Sequence, residues 1–450
     1  MMKRLMFLIL SLAVLIGMGL ATSAAIAGEG AFGEGRVMWF GYKNAQDWNG
    51  DDDDNWAETL GRFRFGYGAN VGERGFYKFE VENLTVLGGN WNRNYYYDKG
   101  ILNPDYLYLE ELDANHNVVV HNAIVGMNDF LFTDFTAAFG RWGNLNLGRG
   151  RIIGPDCWNM YYQNRFDGFM GKYKFDAGWL ALLCLKLEET GFNGLQDYTS
   201  KVYPYGDSDL RGAYLHYDAN ETMYFEPYVL MVTENINSLG DDDFKSNSMF
   251  VFGALFDCVM ESGLHLYAEG VMESGTMNYD GGPMDPAGDL SAMAFYGGAF
   301  YTIGDSESEP YIGAEFNYAS GTPYDETETL KTFQPLFGSM SDYMGRMNYV
   351  AWSNTSTIRV AGGFTPTTGL DVGVNYYLFK LAQAPAEDAE KGLGSEIDLL
   401  LDYTVQDGLS FEGGLGIFSV SEDYAVNADG DAVDSVWHAW IGTRVAFPQK

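Results

Sequence analysis

The sequence contains a single long apolar run, which lies at the amino terminus over residues 5 to about 20. No later stretch approaches the roughly 18 consecutive apolar residues that a membrane-spanning helix needs, which excludes a bundle of such helices. With 3 cysteines, the chain cannot build a disulfide framework. Cations are also scarce: 27 Lys and Arg oppose 62 Asp and Glu, and the net charge of −35 excludes a nucleic-acid-binding protein.

Motifs of common enzyme classes are missing as well. The sequence has no G-x-S-x-G, H-E-x-x-H or P-loop motif, and its 5 histidines do not show metal-ligand spacing. A hydrolase needs a serine, a histidine and an acid near one another, and no such set can be assembled from the sequence. We therefore expect a protein that is not an enzyme and has no catalytic residues.

The amino terminus has the layout of a secretory signal peptide. Lys3 and Arg4 precede the apolar run, and a small-x-small cleavage site ends at Ala27. Residues 1–27 are therefore predicted to be removed on export. The alternative, an uncleaved anchor, is less favoured because the run is at the short end for a span. No linker interrupts residues 28–450, which we expect to form one domain.

After this segment, apolar and polar residues alternate with a period of two. Phe63 and Phe65 fall on one face, for example, and Arg62 and Arg64 on the other. Such alternation recurs in about 18 segments and predicts an all-β fold. One segment, 165–174, mixes charged and apolar residues on both faces, so its alternation is ambiguous; a register break or bulge there would resolve the pattern, but the sequence does not indicate one. The predicted strands lie near residues 30–43, 57–70, 75–88, 116–128, 134–147, 164–175, 177–188, 208–219, 222–234, 247–258, 263–274, 290–302, 309–320, 354–365, 369–381, 393–404, 408–420 and 435–447.

The connections between these segments indicate a membrane barrel. Every second connection is short and contains turn residues, such as Gln406-Asp407-Gly408. The others are long, polar and acidic, as at residues 44–56 and 321–353. A soluble sandwich of two sheets would alternate in the same way, but short turns on one side and long loops on the other are typical of outer-membrane barrels. We predict a transmembrane antiparallel up-and-down β-barrel of about 18 strands, with short periplasmic turns and long extracellular loops, in the outer membrane of a Gram-negative cell.

A cluster of cations stands out against the acidic composition. Four arginines and one acid occur between residues 139 and 168: Arg141, Arg149, Arg151, Arg165 and Asp167. Cations gathered in one segment of an acidic chain indicate that this segment handles anions.

The same segment carries a spaced set of residues that resembles a known family. The set comprises Gly140-Arg141, Leu147-Gly148, Arg151-Ile152-Ile153-Gly154, Trp158-Asn159 and Arg165-Phe166-Asp167-Gly168. Together with the closing segments 393–399 and 409–418, it is similar to the alginate export porin family. The resemblance implies an outer-membrane channel that is a passive conduit for an anionic polysaccharide or related solute.

The resemblance also implies roles for residues and partners. The anion-binding residues of the pathway would be Arg141, Arg149, Arg151 and Arg165, with Asp167 as a local counter-charge. Arginine side chains arranged around a narrow pore select anions. The surroundings would be outer-membrane lipid and lipopolysaccharide, and the partners an anionic polysaccharide cargo and a periplasmic helical-repeat protein.

Other interpretations remain open at this point. Arginines inside barrels also pair with neighbouring acids for structural reasons. The further lumen cations for which pairing is the favoured interpretation are Arg62, Arg64, Lys78, Arg359 and Arg444. A general or solute-specific porin is one alternative function. Another is a structural or adhesive surface barrel whose acidic loops bind Ca²⁺ or Mg²⁺ through residues such as Asp51, Asp52, Asp53 and Asp54.

Overall fold

In the computed structural model, the chain forms a closed barrel of 18 antiparallel strands with almost no helix. The structure describes residues 30–43, 56–86, 118–143, 145–154, 165–188, 208–236, 245–277, 288–304, 306, 308–338, 343–421 and 435–447. The predicted all-β barrel and its strand number are therefore confirmed. Within these ranges, no helix is long and apolar enough to span a membrane.

The strand bounds follow the period-two segments of the sequence closely. The strands are β1 (Gly30–Lys43), β2 (Trp56–Val71), β3 (Gly75–Val86), β4 (Val118–Met127), β5 (Phe135–Trp142), β6 (Phe166–Phe175), β7 (Gly178–Glu188), β8 (Ser208–Asn220), β9 (Met223–Ile236), β10 (Lys245–Val259), β11 (Leu264–Met277), β12 (Gly288–Thr302), β13 (Tyr311–Ala319), β14 (Thr329–Leu330), β15 (Thr355–Thr367), β16 (Leu370–Leu381), β17 (Gly392–Gln406), β18 (Leu409–Val420) and β19 (Val436–Phe447). Each barrel strand pairs with the next along the chain, and β1 pairs with β19 to close the wall. The two-residue β14 is not part of the wall and runs parallel to the start of β12.

The two faces of the wall differ as a transmembrane barrel requires. Along β2, the outward Phe65 is 45% exposed, whereas the neighbouring Arg64 points inward and is 8% exposed. Large apolar side chains such as Met272 and Ile441 are exposed on the outer surface of other strands. An apolar exterior and a polar interior match the lipid-facing and lumen-facing sides of an outer-membrane barrel.

The alternation of β6, which is ambiguous in the sequence, is regular in the structure. This strand pairs with both β5 and β7 without a shift. One of the sheet's register shifts lies between β3 and β4, where Glu80 faces Asn122 and the next residue, Val81, faces Val120. His121 is the extra residue of this bulge, and it is buried in the interior with Asn122. The mixed pattern of β6 arises because Lys172 lies on the inner face, where the lumen accommodates a charged side chain.

Candidate functional site in the barrel lumen

Two connections between strands fold back into the barrel, and together they form what we call the lumen plug. Its described residues are 145–154, which follow β5, and 331–338 and 343–352, which lie between β14 and β15. The buried apolar plug residues, which pack in one core with the inner wall, are Leu147, Ile152, Ile153, Phe333, Tyr343, Met344, Met347, Val350 and Trp352. The sequence predicted a long polar loop over residues 321–353. The described part of that loop instead lies inside the barrel, because its apolar side chains are buried there.

The two parts of the plug are joined through their backbones. The Gly154 N–H donates to the carbonyl oxygen of Phe337 at 2.8 Å, and the Phe337 N–H donates to the carbonyl of Ile152 at 2.9 Å. Ile153 forms a β-bridge with Phe337, and the Phe337 ring packs edge-on against the inward Phe166 of β6. The plug therefore behaves as one packed unit.

Carboxylates of the inner wall hold this unit in place. Glu273 of β11 accepts a hydrogen bond from the Gln334 N–H at 2.9 Å, and Glu396 of β17 accepts one from the Met347 N–H at 3.0 Å. Backbone N–H groups of an irregular segment need such partners once they are buried. The acidic residues of the lumen thus serve partly to support the plug.

The first part of the plug begins with a tight turn at Gly148-Arg149-Gly150. All three residues have positive φ angles, of 62°, 54° and 78°. A side chain at position 148 would have its Cβ 2.7 Å from the Ile152 side chain and 2.9 Å from the Glu269 carboxylate, so glycine is required there. The left-handed conformation of Arg149 costs about 1–2 kcal/mol. The turn is fixed to the wall because the Gly148 N–H donates to the Tyr214 hydroxyl of β8 at 3.0 Å.

Arg151 attaches the plug to the inner wall at β13. Its guanidinium lies 2.7 Å from the Glu315 carboxylate of β13 and donates to Asn317. The guanidinium carbon lies 3.6 Å from the ring centre of Tyr296 and 4.1 Å from that of Tyr343. Burial alone would lower the pKa of Arg151, but Glu315 and the two tyrosines raise this pKa above its ordinary value, so the side chain stays charged. Because Arg151 is buried and paired, it holds the plug rather than lining an open path.

Arg149 has a different environment, because it reaches the accessible part of the lumen. It forms an ion pair with Asp257 of β10, and its side chain remains 32% exposed. The guanidinium stacks on Tyr267 with its carbon 4.1 Å from the ring centre. His265 shares the same carboxylate, with its Nε2 3.0 Å from Asp257. Among the four arginines of the sequence motif, Arg149 is the one best placed to meet a solute in the lumen.

Arg141 and Asp167 lie on the outer face of the barrel. They pair directly across β5 and β6, with 2.5 Å between Arg141 Nη2 and Asp167 Oδ2. Phe139, two residues before Arg141 and on the same face, is 59% exposed. The neighbouring pair, Trp142 and Phe166, points inward instead and packs against the plug core. Arg141 and Asp167 therefore do not line the lumen, and we leave them out of the solute pathway.

This placement gives a test that uses two arginines of one motif. The Arg149→Ala variant is expected to shift the reversal potential in a salt gradient toward cation selectivity, because a lumen cation is lost. The Arg141→Ala variant should leave the reversal potential unchanged, because its charge faces away from the pore. Planar-bilayer recordings of both variants check this, and an equal shift in both would contradict the assignment of faces.

Arg165 and the other lumen cations predicted from the sequence face inward beside acids. Arg165 and Arg64 share the buried carboxylate of Glu82, at 2.9 Å and 2.5 Å. The remaining cations and their partners are Arg62 with Glu34 at 2.8 Å, Arg444 with Glu34 at 2.6 Å, Lys78 with Glu80 at 3.6 Å, and Arg359 with Asn375 at 2.9 Å. The contacts of Arg62 and Arg444 with Glu34 lie on the inner wall at the β1–β19 closure, and those of Arg64 and Lys78 lie on the adjoining β2 and β3.

Sequence reasoning missed an arc of aromatic rings at the short-turn end of the lumen. We call it the mouth arc, and its members are Trp179, His216, Tyr224, His265, Tyr267 and Phe300. Ring centres of Trp179 and His216 are 5.4 Å apart, those of His216 and Tyr224 are 5.0 Å apart, and those of Tyr267 and Phe300 are 6.1 Å apart. The signal was available, because each ring occupies an inward position within a few residues of a short turn.

Cations flank the mouth arc on both sides. The Lys172 ammonium of β6 lies 4.0 Å from the Trp179 ring centre, and Arg149 covers Tyr267 as described above. Aromatic faces attract cations through their quadrupole. The short-turn end, which is the periplasmic end of such barrels, therefore presents rings and positive charge together.

Several predicted features lie outside the described residues. These are the signal peptide at residues 1–27 with its cleavage near Ala27, and the acidic run Asp51–Asp54. A Ca²⁺ or Mg²⁺ site at that run remains a prediction. Among the residues that the structure does describe, no group of three or more His, Cys, Asp or Glu side chains is arranged to hold a metal ion.

A closed 18-stranded wall, apolar outside and charged inside, defines an outer-membrane channel barrel. Comparison with family models is more specific: residues 109–422 match the model described as alginate export. The chain belongs to the alginate export family. No curated protein matches the sequence.

Solved outer-membrane porins share the fold at low sequence identity. Acinetobacter baumannii OccAB1 is 10% identical with a TM-score of 0.62, over 95% of this chain and 98% of that chain. Pseudomonas aeruginosa OccK11 (OpdR) is 12% identical with a TM-score of 0.59, over 94% and 97%. Pseudomonas aeruginosa OpdK, solved with vanillate, is 13% identical with a TM-score of 0.58, over 93% and 98%. At this identity, the likeness shows the fold.

Proposed function

We propose that this channel is a passive conduit for an anionic polysaccharide or a shorter anionic saccharide, which enters at the periplasmic mouth. The observation that carries the proposal is the mouth arc with Lys172 and Arg149 beside it. Aromatic rings offer flat apolar faces to the apolar faces of sugar rings, and the cations attract carboxylates. A neutral sugar would need the rings alone, whereas an acidic sugar uses both features.

The arrangement suits a moving chain better than a tightly held ligand. Contacts are spread over strands from β6 to β12, and each contact is weak, so a polymer can advance from one to the next. A periplasmic helical-repeat protein would deliver the chain to this mouth, and lipopolysaccharide would surround the other end. The family and the structural neighbours are non-enzymatic channels, which supports conduction without chemistry.

A small carboxylate is the second candidate cargo. The structurally similar OpdK was solved with vanillate, and the lumen plug narrows the interior here. A small aromatic acid would use the same rings and cations as an acidic sugar. The test therefore has to separate oligomers from monomers.

Current block in planar bilayers tests the proposal. Purified protein is exposed on the periplasmic side to an oligouronate, a neutral oligosaccharide of equal length, and a monomeric carboxylate. We expect the oligouronate to block best. Trp179→Ala should weaken block by both oligosaccharides, whereas Lys172→Ala should weaken only block by the oligouronate. Arg141→Ala, on the outer face, serves as the control. Cation selectivity, or equal block by all three probes, would refute the saccharide proposal.

A further inference from the structure

On the strands that the structure describes, the cations of the outer wall lie at one end of the barrel. Among the strand side chains that the structure describes, the outward cations are Lys43, Arg141, Lys186, Arg211 and Lys380. Each lies within a few residues of the end of its strand that leads into or out of a long connection. That end is extracellular in an outer-membrane barrel. The periplasmic half of the described outer surface shows no such cation.

Three of these cations belong to one continuous row with two acids. Arg141, Asp167, Lys186 and Asp209 stand directly opposite one another across β5, β6, β7 and β8. Arg211 follows on β8, with its Nη2 3.0 Å from Asp209. We call these five residues the charge row. Charges that face lipid are costly, so a row across four strands requires a polar environment.

The height of the charge row along the membrane normal indicates what that polar environment is. Asp167 is eight residues from the periplasmic end of β6 at Phe175, or about 20 Å along the membrane normal at roughly 3.3 Å per residue and about 40° of tilt. The apolar band of such barrels is about 25 Å tall. The charge row therefore lies near the upper border of the band, where the headgroups of the outer leaflet begin.

A shallow apolar groove lies beside and below the row. Arg141 and Asp167 form its polar edge, and its apolar lining consists of Val120, Ala123, Phe139, Phe169 and Cys184. Gly140 and Gly168, which pair directly across β5 and β6, also line it. The apolar lining suits a hydrocarbon chain, and the polar edge suits a charged headgroup.

We propose that the charge row and this groove bind lipopolysaccharide, with a lipid A phosphate at the cations and an acyl chain in the groove. The row has three cations and two acids, so it carries a net positive charge on a strongly acidic protein. The Arg141 guanidinium uses Nε and Nη2 on Asp167, and of its five N–H donors three remain for a phosphate. Asp167 and Asp209 orient the arginines, and charge-assisted contacts to phosphate are stronger than neutral ones.

Native mass spectrometry of the full-length protein in detergent tests this site. The probes are bisphosphorylated lipid A and the same lipid without phosphates. Arg141→Gln/Arg211→Gln should lower affinity for the phosphorylated lipid by about ten-fold or more, since two charge-assisted contacts to phosphate are lost. Lys43→Gln/Lys380→Gln removes the same number of outward cations elsewhere and should change affinity little. Ala123→Phe fills the groove and should weaken binding of both lipids.

The outcomes separate this site from the channel proposal. Heat-modifiable migration in gels shows whether each variant folds. If the charge variants fail to fold, Ala123→Phe still tests the proposed site. All variants should keep normal conductance, because the row faces away from the lumen. Equal binding of the two lipids, equal weakening by the Lys43/Lys380 control, or barrel dimers that disappear with Arg141→Gln/Arg211→Gln would overturn the proposal. The last outcome would assign the row to contact with a second copy.

Discussion

Replacement of residues 331–352 by a short glycine-serine linker is expected to raise single-channel conductance several-fold. Barrels of 16–18 strands leave an aqueous channel when nothing fills them. Here the deleted segment contributes Phe333, Met344 and Trp352 to a core inside the wall. Its removal leaves residues 145–154 without their partner and opens a water-filled path. Planar-bilayer recordings of the deletion variant and the parent protein measure the change.

A matched deletion controls for the loss of chain. Residues 382–391 connect β16 to β17, and each of them is exposed or half-buried, so their replacement by the same linker should leave conductance close to that of the parent. Both variants must show heat-modifiable migration, which reports an intact barrel. If the first deletion conducts no better than the parent, the plug is not what limits ion flow.

Arg151→Met is expected to produce long, high-conductance openings, because it breaks a buried ion pair on one side only. Removal of one partner of such a pair costs about 3–5 kcal/mol, since the other charge is left buried and uncompensated. The charge left without a partner would be that of Glu315, and its burial would destabilise the packing of the plug against the wall. Hydrogen exchange at the Gly154 and Phe337 amides, which join the two parts of the plug, should become faster at the same time.

The double variant Arg151→Met/Glu315→Gln distinguishes this explanation from simple loss of packing. With both charges removed, most of the penalty disappears, so openings and exchange should return toward parental values. Arg211→Met breaks an exposed pair on the outer face, which is worth about 0–1 kcal/mol, and should have no effect on gating. Parental behaviour of the single variant would show that Arg151 does not hold the plug.

The barrel could be predicted because its signals are local. Alternation over ten residues and turn residues at strand ends do not depend on distant parts of the chain. The end of β5 was less well predicted. The sequence pattern predicts a strand that continues to residue 147, whereas β5 ends at Trp142. The chain leaves the wall there because Leu147 is buried in the lumen core.

Alternation alone also predicts that Arg141 lies on the outer face, although the family resemblance implied that it lines the solute pathway. Phe139 faces lipid, and a residue two positions on shares its face. The role of Arg151 could not be read in this way. Its partner Glu315 is 164 residues away, and only the folded plug brings the two together. A resemblance shows which residues are typical of a family, but the position of each side chain depends on contacts in the whole fold.

The closure of the wall has a consequence for biogenesis. The bond between Arg444 and Glu34 joins residues 410 positions apart, and the whole β1–β19 pairing has this range. Loop-closure entropy opposes such contacts until the intervening chain is organised. A nascent or truncated molecule therefore exposes two unpaired strand edges, which pair readily with other chains. We therefore expect both edges to need protection from other chains until the last strand meets the first.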